Sequence, residues 1–234
     1  MNFNFSLPQI LNFFYMIFVL LVSLSVHESA HAYVAEKRGD PTGRMLGRIT
    51  LNPLKHLDPI GSILVPALMF LFGLPVFGWA RPVPVNTRNL RNFRLDNALV
   101  SAAGPLSNFC LSLVSTFSMA VYLALAGTER FYGELNQDYS VPRLLFMFST
   151  VNLLLMAFNF IPIFPLDGSH VFEALLPKGP ILELYGKIKP FGFMVLLFMI
   201  MTPVLGGVLK IVMNVTMTMF IFFPLSLVSA AIGR

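Results

Sequence analysis

Residues 16–38 read MIFVLLVSLSVHESAHAYVAEKR, and they close an apolar run that carries no charged side chain from residue 1 to residue 26. A membrane-crossing helix needs about 20 such residues. The run lacks the basic start and small-residue cleavage site of a signal peptide, and its helical pattern continues past Val26, so it reads as a mature transmembrane helix. Its inner end carries His27, Glu28 and His31. Ionisable groups there are costly and by default functional. On a helix, positions i and i+4 share a face, so both imidazoles of this H-E-x-x-H pattern can bind one metal while Glu28 stands beside it to take a proton from water.

Composition widens the membrane reading to the whole chain. Of 234 residues, 56% are apolar and only 12% charged, against roughly 25% charged in a soluble domain. Mean hydropathy is +0.75. Such a chain is neither a soluble globule nor disordered. The net charge of +5 is scattered, which argues against nucleic-acid binding. The single cysteine, Cys110, excludes an internal disulfide and a cysteine-built zinc site.

Charge-free windows cover 1–26, 59–80, 97–128, 144–166, 190–209 and 211–233. The second is broken by Pro59, Gly61, Pro66, Gly73, Pro75 and Gly78. If it dips in and returns, lysines and arginines divide 13 to 3 between the two sides; if it crosses, they divide 8 to 8. The positive-inside rule predicts five spans, a re-entrant 59–80, an outside N-terminus and a cytoplasmic C-terminus. The expected fold is an all-α polytopic bundle with short cytoplasmic-side strands at 47–51 and 81–85. It forms one membrane-embedded domain, 1–234, with a core over 7–176 and C-terminal helices over 190–231.

A catalytic zinc needs a third protein ligand and an open position. The candidates are Asp167, His170, Glu173, His56, Asp58 and Glu36. Asp167 stands out because it follows the apolar run Asn152 to Leu166, where Pro162 and Pro165 break the helix and Gly168 lets the backbone turn. In the 13-to-3 arrangement Asp167 lies on the same side as His27 and His31. The competing readings are helix-packing histidines, a metal-ion transporter, an inactive scaffold, and an HExxH protease that cuts soluble tails.

His27 to His31, the stretch Leu51 to Gly61, Arg81 to Asn86, Ala103-Gly104-Pro105 and Asn159 to Gly168 together resemble the site-2 proteases, zinc metalloproteases that cleave transmembrane segments within the bilayer. The resemblance runs in order over residues 7 to about 176. It implies His27, His31 and Asp167 as ligands of one catalytic Zn2+, Glu28 as general base, and Asn159 as a residue that positions substrate or stabilises the oxyanion. It also implies a transmembrane protein or peptide as substrate, while the compact core of the chain suggests a bacterial cytoplasmic membrane. The chain looks like the minimal form of that family, without PDZ or CBS domains.

Overall fold

The computed structural model describes residues 6–73, 78–138 and 140–232. Pro75 of the expected dip, the terminal base Arg234 and the two ends of the expected single domain lie outside them.

Helix α1, Leu7–Arg38, has 32 residues, or about 48 Å at 1.5 Å each. That exceeds the ~30 Å hydrocarbon layer, so one end of α1 projects beyond it. It stops at Gly39, whose φ of 114° is left-handed, and a Cβ there would lie 2.7 Å from the Asn89 carbonyl oxygen. Glycine is the residue that accepts both conditions at a helix C-terminus. The short α2, Thr42–Met45, follows. Asp58 then caps a π-helical segment, Pro59–Leu64, through the N–H groups of Ile60 and Gly61, and the segment leads into α3, Val65–Leu71.

The chain comes back beside its own point of entry. Trp79 N–H donates to the Gly61 carbonyl at 3.1 Å and Arg81 N–H to the His56 carbonyl at 2.8 Å. A Cβ on Gly61 would overlap the Trp79 indole ring, so the close approach requires glycine.

The expected strands at 47–51 and 81–85 do not form: no strand occurs among the described residues. Pro82 and Pro84 lack the N–H that a ladder needs. The N–H of Val83 between them donates to a Glu28 carboxylate oxygen. Residues 47–51 turn back on α2, with Arg48 N–H on the Gly43 carbonyl, and the Thr50 carbonyl accepts from Ser29 Oγ.

Helix α4, Phe93–Ala126, is followed by the short α5, Thr128–Leu135, and by α6, Val141–Asn159. An irregular turn then leads to α7, Asp167–Leu175. The next span runs Pro180–Met201 as α8, Pro180–Ile188, and α9, Gly192–Met201; the following one runs Pro203–Ile232 as α10, Pro203–Met217, and α11, Phe223–Ile232. Among the described residues, five helices or helix pairs are thus long and apolar enough to cross a membrane.

The last two spans divide at Thr202–Pro203, not at Lys210 as the charge-free windows implied. Proline disfavours a helical conformation in the residue before it, and Thr202 is extended. Lys210 instead lies on an exposed face of α10, where its long stem can carry the ammonium toward the membrane edge.

The interior lies between α1, α4 and α6. Val19, Leu20 and Leu24 pack with Val151, and a second cluster joins Met119, Leu123 and Leu153 to Phe131, Ile221 and Leu225. Outward faces carry exposed Phe117, Leu125 and Phe198, as a hydrocarbon solvent allows.

Candidate metal centre

One turn of α1 places His27 and His31 on the face that meets α4. Gly104 of α4 lies directly beneath them: a Cβ there would fall 2.6 Å from His27 Nε2 and would overlap His31 Nε2 as well. One turn to either side, α4 supplies an acceptor for each ring. His31 Nδ1 lies 2.7 Å from the Val100 carbonyl and His27 Nδ1 lies 2.6 Å from Asn108 Oδ1. Val100, Gly104 and Asn108 are spaced i, i+4, i+8, so a single stripe of α4 seats both imidazoles.

The third group arrives from the far side of the chain. Asp167 is the first residue of α7, and Gly168 beside it packs against Phe160 and Ile161, just past the end of α6; a Cβ there would lie 2.6 Å from the Ile161 carbonyl oxygen. This close seating brings Asp167 Oδ2 to 3.2 Å from His27 Nε2 and 3.4 Å from His31 Nε2. The two Nε2 atoms are 3.0 Å apart. Among the described residues this is the one group of three such side chains close enough to share an ion.

The donor set fits zinc on two grounds. The Val100 carbonyl can only accept, so His31 carries its proton on Nδ1 and turns a lone pair out from Nε2. With both rings neutral and His27 oriented alike, two imidazole lone pairs and a carboxylate oxygen face one another, an arrangement that a bound cation satisfies. Distances also agree: zinc bonds of 2.0–2.1 Å in a tetrahedron separate ligand atoms by ~3.3 Å.

Glu28, the next residue on α1, accepts from Val83 N–H at 2.8 Å. It shares a cavity of about 490 Å³ with His27, His31, Asp167 and Asn159. Asn159, the last residue of α6, donates from Nδ2 to the Leu155 carbonyl at 3.0 Å.

The remaining ligand candidates are engaged elsewhere. Glu36 pairs with Arg44, and Asp58 caps its π-helical segment. The His56 ring packs against Ser29 and the Thr50 carbonyl. Glu173 pairs with Lys189 at 2.5 Å. His170 lines the cavity but bonds Asn97 at 3.0 Å and lies 3.3 Å from Lys189 Nζ. Burial and the Lys189 charge push its pKa below the ordinary histidine value, which keeps the ring neutral.

Comparison with known proteins settles the family. The model of peptidase family M50 matches residues 70–203, more than half of the chain. The chain belongs to this family, the site-2 proteases. It is 41% identical over 203 residues to a Bacillus subtilis (strain 168) protein provisionally named zinc metalloprotease YwhC, covering 86% of each chain. It is 29% identical over 187 residues to a Mycolicibacterium smegmatis protein provisionally named zinc metalloprotease Rip2, covering 80% of this chain and 66% of that one. A zinc metalloprotease of Methanocaldococcus jannaschii is 29% identical over 178 residues, covering 76% of this chain and 38% of the relative. No solved structure matches.

This M50 peptidase is therefore a zinc metalloprotease integral to a membrane. Asn108, whose amide reaches His27, escaped the sequence reading, and Gly104 entered it only through family resemblance. The signal for Asn108 was present as an amide within an apolar helix, four residues beyond a glycine, where polarity is costly unless it meets a partner.

Proposed function

We propose that the protein hydrolyses peptide bonds within or near transmembrane segments of other membrane proteins, with His27, His31 and Asp167 as zinc ligands and Glu28 as general base. The observation that carries this reading is the convergence of the buried His27 Nε2 and His31 Nε2 with the partly buried Asp167 Oδ2, inside a bundle of membrane-length helices and beside Glu28 in one cavity.

When bound, zinc supplies Lewis acidity, which acidifies water and polarises a carbonyl. Val83 N–H engages Glu28 Oε2 and leaves the other oxygen to take the proton of the attacking water. Glu28 then returns that proton to the leaving nitrogen. Asn159, across the same cavity, steadies the carbonyl of the bond being cut. A substrate helix hides its carbonyls in its own hydrogen bonds, so it unwinds before it lies along Pro82, Val83 and Val85 on the cavity wall.

Residues 59–80 form a re-entrant element, supported by the pairing of Trp79 with Gly61 and of Arg81 with His56. With this element the N-terminus is outside and the C-terminus cytoplasmic, the bases divide 13 to 3, and the whole chain forms one domain. The setting is a bacterial cytoplasmic membrane.

Purified protein offered a panel of single-span substrates will cut within the apolar segment, a chelator will block the reaction, and Glu28→Gln will lose it. Equal cleavage by wild type and Glu28→Gln overturns the assignment.

A further inference from the structure

Three spans are tied together by a chain of buried amides that ends on a proposed ligand. Ser23 and His27 lie on α1, Asn108 on α4 and Asn152 on α6. Asn108, Asn152 and Ser23 are fully shielded, at 0% exposure. His27 Nδ1 meets Asn108 Oδ1 at 2.6 Å, and Asn108 Nδ2 lies 2.7 Å from Asn152 Oδ1 and 3.2 Å from the Ser23 carbonyl. Asn152 Nδ2 lies 2.8 Å from both the Phe148 carbonyl and Ser23 Oγ.

The polarity of this chain follows from its fixed ends. Backbone carbonyls only accept, so the Phe148 carbonyl requires the NH2 group of Asn152 to face it. The Ser23 carbonyl requires the same of Asn108. Both amides are thereby held against flipping, which presents Asn108 Oδ1 to His27. An amide oxygen can only accept, so His27 donates from Nδ1, and the neutral ring then keeps its lone pair on Nε2, the atom nearest Asp167. His31 obtains the same tautomer from the Val100 backbone carbonyl, which no side-chain change removes.

We propose that Asn108, held in orientation by Asn152, is a positioning residue that locks His27 in the metal-binding tautomer and thereby sets zinc affinity. The inference rests on the reading of His27 as a ligand. Partners of this kind typically contribute 10–100-fold in metal affinity.

The test uses the full chain in detergent and titrates zinc against a competing chelator, with Asp167→Ala as reference. Asn108→Leu, similar in size and without an acceptor, will bind zinc roughly 10–100-fold more weakly. Asn108→Asp, which restores an acceptor for His27 Nδ1, will recover most of that affinity; a residue needed only for helix packing would not discriminate between the two. Should Asn108→Leu fail to fold, Asn152→Ser provides the same readout, because it removes the shorter of the two contacts that orient the Asn108 amide and leaves only the Ser23 carbonyl, so its expected loss is smaller. Wild-type zinc affinity in Asn108→Leu, or in Asn152→Ser where the first cannot be measured, overturns the proposal if Asp167→Ala loses zinc. Undiminished zinc in Asp167→Ala overturns the ligand reading itself.

Discussion

Gly104 shows how little space separates α4 from the two histidines. A methyl group there must displace both imidazoles from Asp167, and overpacking of this kind costs about 1–3 kcal/mol. Gly104→Ala is therefore expected to insert into the membrane yet purify with less than one zinc per chain, as metal analysis by mass spectrometry will report. Asp40 holds the neighbouring segment in a different way. Burial pushes its carboxyl up, but hydrogen bonds from Thr42 Oγ1, Asn89 Nδ2 and the N–H groups of Asn86 and Thr42 outweigh this and hold it below the ordinary carboxylate value. A folded pKa below the unfolded one gives stability that is present above the unfolded value and lost as pH falls through the folded value. The thermal unfolding temperature in detergent should thus fall as pH drops below about 4. Asp40→Ala, which leaves several donors unmatched, should be less stable at neutral pH by about 1–3 kcal/mol and should lose that acid dependence.

At the scale of elements, the parts legible in the sequence were those whose cost is local. The H-E-x-x-H turn and the proline-broken end of the apolar run at Asp167 both place ionisable groups where a bilayer penalises them, and both reach the site. The expected strands at 47–51 and 81–85 misread the sequence, because a short proline-bearing stretch cannot reveal that the Val83 N–H between its two prolines belongs to Glu28. The break at Pro203 was missed for a related reason: Lys210 drew the boundary by its charge, whereas backbone geometry decided it. Asn108 was invisible as a partner of His27 because 81 residues separate them. The Val83 contact has a measurable consequence. Val83→Pro, in a segment already flanked by prolines, removes the donor to Glu28, a hydrogen bond to a charged group worth about 1.5–3 kcal/mol. Steady-state assays on a single-span substrate should show kcat lowered roughly tenfold or more with KM little changed.

At the scale of the molecule, the proposed re-entrant 59–80 segment would put the bases 13 to 3 and the proposed ligands of α1 and α7 on one side. With Cys110 replaced by serine, single cysteines at Lys55 and Arg88 should react with an impermeant thiol reagent from one face of the membrane, and a cysteine at Glu129 from the other. Labelling of Lys55→Cys and Arg88→Cys from opposite faces would contradict the re-entrant arrangement. The route from α1 to α7 also bears on biosynthesis. Asp167 follows His31 by 136 residues, with α4 and α6 between them. A growing chain that has inserted only α1 and α4 holds two imidazoles and no carboxylate to complete the set. On the proposed ligand set, the nascent protein is thus unarmed while its first three spans pass through the insertion machinery, and its cutting centre cannot assemble before α7 has been made.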